Sequence, residues 1–237
     1  MGAKAWWGVW ASIAVILGSG LTVCAEWPLC FASCESTVRI DQGVLRLSRV
    51  VDPDHPAVAA FVRETVSGEA VGPYNIGQIC DLFDHLLGEW RYVEDPCARR
   101  GGAIVPPWVS LLTLSGDCDD FAVVLASCIL SLGGCAEIAL AEAESGGHIY
   151  TLVYLGETVG AITRLRGYLR RRYRTKVDAA RLCFDEAGGI WLPLDWYTGV
   201  PGGETWVETV AVIACGRTDL CNGADRAVPA VPESSQE

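Results

Sequence analysis

The sequence predicts an α+β domain, and three observations lead there. Two stretches in the first 135 residues carry apolar side chains at helical spacing: Ile76, Ile79, Cys80, Phe83 and Leu86, then Phe121, Ala122, Leu125, Ile129 and Leu132. After them come β-prone stretches at 137–143, 148–155, 159–163, 190–194 and 206–214. Helices followed by antiparallel strands read as α+β. Finally, 237 residues, 51% apolar and 20% charged, are enough for one sizeable core, and no internal repeat or second domain is visible.

Taken in order, Lys4 precedes an uncharged run of 21 residues, 5–25. That length matches the hydrocarbon core of a bilayer when helical. It reads either as a signal peptide, with small residues at Val23, Cys24 and Ala25 before a cut, or as an uncleaved anchor with Trp6, Trp7 and Trp10 near one interface. Both readings put the main domain outside the cytoplasm, membrane-anchored or secreted. Residues 26–72 form an N-terminal extension. Within it, 36–51 alternates like a strand pair around a turn at 41–43, and Pro56 suits the first turn of a helix reaching about 66. The main domain is expected at 73–216. Gly72-Pro73 makes a turn, and Asn75 is positioned to cap the helix that follows. The segment 94–114 is rich in proline and glycine and reads as a loop. The next helix opens near Cys118 and ends at Gly133-Gly134. Residues 217–237 are expected to be a disordered tail.

A net charge of −11 excludes a general nucleic-acid binder, which needs a basic face. The charge is uneven. Seven of the eighteen basic residues, Arg164 to Lys176, fall within thirteen positions, and taking them out of the −11 total leaves −18 for the rest. That stretch is either the solvated face of an element paired with acidic neighbours, or a patch for anionic lipid headgroups or an acidic partner. Eleven cysteines fit an oxidising compartment, with Cys30/Cys34 and Cys215/Cys221 at local-loop spacing, but pairing is not readable. With no CxxC pair and only three histidines, neither a metal site nor a cofactor is expected.

The chemistry concentrates in three places. In "LSGDCDDFAVVLASCILSLGG", Cys118 sits in the first turn of a helix, where unpaired N–H groups and the dipole favour an anion. Such a position lowers a thiol's pKa, and Gly116 clears space where a substrate carbonyl must approach. Asp117, Asp119 and Asp120 suit the helix start but work against a thiolate. Alternatively Cys118 is a disulfide member or an inert core thiol, as Cys128 and Cys135 are expected to be. His148 follows a hairpin turn and opens the strand "HIYTLVYL", sharing a face with Tyr150, Leu152 and Tyr154. His55, in a proline-flanked loop, and His85, on a polar helix face, look unremarkable. Asp195 ends the apolar strand "WLPL", where a carboxylate is costly to bury without hydrogen bonds or a cation. It orients an imidazole or simply opens a turn.

In the order Cys, His, Asp, the segments "GDCDDFAVVLASCILSLGG", "GGHIYTLVYL" and "WLPLDW" resemble the transglutaminase-like superfamily of papain-fold cysteine enzymes, in its bacterial and archaeal form. The resemblance spans about 74–196. It implies a papain-like core in which the helix bearing the nucleophile packs on an antiparallel sheet, here preceded by an N-terminal hydrophobic helix. It implies Cys118 as nucleophile, His148 as general base and acid, and Asp195 as orienting residue, with Trp90 or Trp108 near the oxyanion. The long interval from His148 to Asp195 leaves Asp178 and Asp185 as other candidates for the third member. The implied reaction is attack on an amide carbonyl of a peptide or protein, through a thioester, with hydrolysis favoured over cross-linking. The competing expectations are a non-catalytic surface module binding peptide or cell-wall polymer, and a disulfide-stapled adhesion domain in which Cys118 is bridged.

Overall fold

The computed structural model describes residues 47, 49–68, 70–94, 104–143, 146–174, 181–185, 187–203, 208–214 and 228–231. Helix α1 (Pro56–Thr65) starts on a proline, with the His55 ring accepting from the Ala57 N–H at 3.2 Å, and it buries Val58 and Val62 one turn apart. Helix α2 (Ile76–Glu89) opens on a reciprocal capping box between Asn75 and Gln78. Its apolar stripe is fully enclosed. Strand β1 (Arg91–Tyr92) follows, then α3 (Pro107–Thr113) and β2 (Ser115–Gly116), which pairs with β1 in parallel.

Helix α4 (Cys118–Ser131) is the axis of the molecule. Every residue from Asp120 to Leu130 is buried, as expected of a helix apolar all round. Strands β3 (Ala136–Ala143) and β4 (Gly146–Gly156) form a hairpin beside it. Helix α5 (Val159–Tyr173), β5 (Cys183–Phe184), β6 (Ile190–Leu194), a 3₁₀ turn (Trp196–Thr198) and β7 (Glu208–Ala214) complete the order. The sheet runs β5-β6-β4-β3-β7, antiparallel throughout. Its central strands pack on one side of α4, while α1, α2, α3 and β2 enclose the other. The Thr151 hydroxyl donates to the Ala122 carbonyl at 3.0 Å and pins helix to sheet. This is the α+β arrangement of helices on an antiparallel sheet. The hydrophobic run 5–25 lies outside the described residues, and among those residues no helix is long and apolar enough to cross a membrane.

Several local expectations are corrected. Leu47, Arg49 and Val50 are helical rather than extended, and the Val51 N–H donates to the Leu47 carbonyl at 3.3 Å, with the Leu47 and Val51 side chains in the core. Their i, i+4 spacing explains it. The segment 94–114 contains α3, begun by Pro107 and ended by Leu114 in the left-handed region at φ 44°. The stretch 159–163 is not a strand but the first turn of α5. Ile162, Leu165 and Leu169 share the helix's inner face, and that period overrides the β-branched residues at its start. Within the expected tail, Ala230 pairs with α2's entry, accepting from the Ile76 N–H and donating to the Tyr74 carbonyl.

Helix α5 docks on α2 through charge. Arg172 donates to Asp81 at 2.8 Å and to Asp84 at 2.6 Å, and the Tyr173 hydroxyl reaches Asp84 at 2.7 Å. Burial works against the Arg172 charge, but the bonds to Asp84, Tyr168 and Asp81 outweigh it and hold the guanidinium protonated.

Candidate active site

The loop before Cys118 is held from behind. Arg91 and Val93 donate to the carbonyls of Leu114 and Gly116, at 2.9 and 3.0 Å. The Trp90 indole N–H also donates to the Gly116 carbonyl, at 3.2 Å, while its ring stands edge-on to Phe121. Gly116 has a packing reason to lack a side chain. The Asp120 side chain fills the space a Cβ would need, so the gap admits that carboxylate rather than a substrate carbonyl. Asp117 is the N-cap of α4, accepting from the Asp119 N–H at 3.2 Å.

Cys118 is a free thiol, half-buried at the start of α4. It is therefore not bridged here. Strand β6 stops pairing with β4 at Thr151–Leu194, and beyond that point the Ile149 N–H is directed at the Cys118 sulfur. The thiol thus lies against the residue next to His148. Burial and then Asp117 push it up to about 12, with Asp119 adding to them, and the Ile149 N–H only partly offsets this. The helix N-terminus predicts a lowered value, but burial and the carboxylates win.

His148 and Asp195 are brought together. Nε2 of His148 lies 3.0 Å from Oδ1 of Asp195, with the carboxylate almost fully enclosed and the imidazole side chain 14% exposed. The same Oδ1 accepts from the Tyr197 N–H at 2.9 Å, and the Asp195 carbonyl accepts from Thr198 Oγ1. Asp195 is thus fixed by the 3₁₀ turn it caps. An ionised carboxylate offers only acceptors, so Nε2 carries the hydrogen and Nδ1 is left for another partner.

The remaining candidates separate. Trp108 is on α3, stacked on His55 at 5.3 Å. Trp90 is adjacent to the loop before Cys118, but its indole N–H is committed to the Gly116 carbonyl. Asp185 accepts from the Gly189 N–H and from Trp191 Nε1 at 3.0 Å, closing the β5–β6 turn. Asp178 lies outside the described residues. His55 caps α1, and His85 packs against Phe61 at 5.4 Å. Cys128 is a free, enclosed thiol pushed up by burial, whereas Cys135 and Cys183 are disulfide-bonded.

An aromatic bridge went unread in the sequence. Tyr92, paired with Gly116 on the helix side, stacks on Trp196 of the sheet side at 5.1 Å and 20°. Trp196 in turn meets Tyr197 edge-on at 6.1 Å. Burial first, then Cys118, Asp117 and Glu94, raise the Tyr92 phenol. Only the position of Trp196 directly after Asp195 could have signalled it. The acidic group Asp117, Asp119 and Asp120 has carboxylate oxygens within 4.8 Å of one another. Two of them have structural work: Asp117 caps α4, and Asp120 fills the space over Gly116.

The raised thiol gives a direct expectation. Because the neutral form is favoured up to about pH 12, alkylation of Cys118 by iodoacetamide should be slow at pH 7 and still rising above pH 9. Asp117→Asn removes the largest charge contribution and should move the inflection to lower pH. An unmoved inflection would show that this carboxylate does not act on the sulfur.

No family model and no curated protein matches the chain. A solved structure from Cytophaga hutchinsonii, provisionally assigned as a cysteine protease, is similar at 12% identity and a TM-score of 0.45. The match covers 74% of this chain and 48% of that one, so the chain spans about half of that protein's length. At that level of similarity the site has to be read from its own geometry.

Proposed function

We propose that the chain is a thiol enzyme of transglutaminase-like, papain-fold type that acts on amide bonds of peptides or proteins. The observation that carries this is the His148–Asp195 pair, whose imidazole belongs to the residue next to the N–H resting on a free cysteine at a helix start. In this reading Cys118 is the nucleophile, His148 the general base and acid, and Asp195 the orienting group.

The raised thiol shapes the mechanism. There is no standing thiolate, so His148 Nδ1 takes the sulfur's proton as the carbonyl is attacked, and Asp195 stabilises the imidazolium that forms. The tetrahedral oxyanion forms beside the start of α4, where the Cys118 backbone N–H is available to it as a donor. His148 then returns the proton to the departing amine, leaving a thioester. Water, with His148 as base, releases the acid; an amine in its place gives cross-linking. Hydrolysis is the favoured outcome.

The test is labelling by a peptide carrying a mild electrophile at the carbonyl position. Under reducing conditions at pH 7, the wild type should be modified at Cys118, faster than by iodoacetamide, because only the peptide is positioned against the His148 base. Cys118→Ala should take no label. A wild type that stays unlabelled turns the assignment to a non-catalytic peptide- or cell-wall-binding module, for which the exposed Tyr92 and Tyr197 rings would be the contact surface.

A further inference from the structure

Helix α5 has two unlike faces. Leu165 and Leu169 are enclosed, with Ile162 and Tyr168 at their margins, while Arg164, Arg166, Arg170, Arg171 and Arg174 are exposed. At roughly 100° per residue, the four arginines within the helix fall within an arc of about 160° opposite the buried stripe, and Arg174 is its C-cap. Arg172, on the inner side, is the arginine that α2's aspartates neutralise. Among the described residues, none of the other five forms an ion pair. These five guanidinium groups share one face of a chain whose net charge is −11.

We propose that this face docks on an anionic membrane surface, its guanidinium groups taking lipid phosphates. Arginine suits that task, since its planar fork meets phosphate oxygens two at a time. The uncharged 21-residue run at 5–25 supplies a reason for a bilayer to be near. Nearness to a bilayer does not by itself choose which face of the domain meets it. Charge chooses it. The acidic remainder of the protein is repelled by an anionic surface, and the arginine face is attracted. The inference is independent of the cysteine chemistry.

Full-length protein is mixed with vesicles of phosphatidylcholine alone or with added phosphatidylglycerol, and arginine modification by phenylglyoxal is followed residue by residue. Arg166, Arg170 and Arg174 should be modified roughly fivefold more slowly on the anionic vesicles. Exposed Arg63 and Arg91 should not change, and salt near ~1 M should abolish the difference. The triple variant Arg166→Gln/Arg170→Gln/Arg174→Gln alters exposed positions only, and it should bind both vesicle types equally. Equal modification rates on the two vesicles overturn the proposal. So does protection by soluble polyglutamate without protection by the anionic vesicles, which would make the partner an acidic protein.

Discussion

Asp195→Ala is expected to lower the rate of Cys118 labelling by a peptidyl electrophile about 10³-fold, and Asp195→Asn by about tenfold. The difference comes from one oxygen. Oδ1 of Asp195 accepts from both the His148 ring and the Tyr197 N–H. Asparagine keeps an oxygen there, and the Tyr197 N–H selects the amide orientation that presents it. Its NH₂ group therefore faces away from the imidazole, and the Nε2–H tautomer with a free Nδ1 survives. In serine proteases the corresponding change is far costlier because the tautomer is lost. What asparagine lacks is the negative charge that stabilises the imidazolium. Alanine removes charge and orientation together, leaving His148 free to turn. His148→Ala should match the alanine variant, and His148→Ala/Asp195→Ala should be little worse, since the two act as one unit. Near-UV circular dichroism guards against a folding defect. If both Asp195 variants label like the wild type, the pair is a structural turn and Cys118 has no base.

How much of this was legible depends on whether the signal was local. Asn75 with Gln78, the apolar period of α2, and the strand at His148 each announce themselves within a few residues. So does the helix opening at Cys118. The stretch 159–163 shows where local reading fails: its β-branched residues suggest a strand until Leu165 and Leu169 are counted with Ile162. Gly116 was legible as a close approach, but the approaching group is Asp120, and nothing in the spacing says so. The thiol's environment was the least readable. A helix N-terminus argues for a lowered value, yet burial raises it, and the elements that pack on α4, among them α3, β2 and β4, come from other parts of the chain. The Tyr92–Trp196 stack joins residues 104 positions apart, and no period or motif connects them.

Phe121→Ala should be the most damaging core substitution, costing about 3–5 kcal/mol. Phe121 is enclosed one turn beyond Cys118, edge-on to Phe83 at 6.3 Å and to Trp90 at 5.3 Å. The cavity cannot close easily, because α4 is gripped by the sheet through Thr151 and by helices on its other sides. Its second effect reaches the site. Trp90 rests on Phe121 and bonds the Gly116 carbonyl, so a hole beneath the indole loosens the loop that sets the Cys118 position. Labelling should then fall even at temperatures where the variant is fully folded. Phe121→Leu keeps most of the volume and should cost less than half as much, while still removing both aromatic contacts. Denaturant midpoints at unchanged slope measure the stability loss, and labelling rates well below the transition measure the displacement. A loss under ~1 kcal/mol for Phe121→Ala would mean that this ring is not the wedge between α4 and the elements behind it. A full stability loss with unchanged labelling would show that Trp90 holds the loop without Phe121 beneath it.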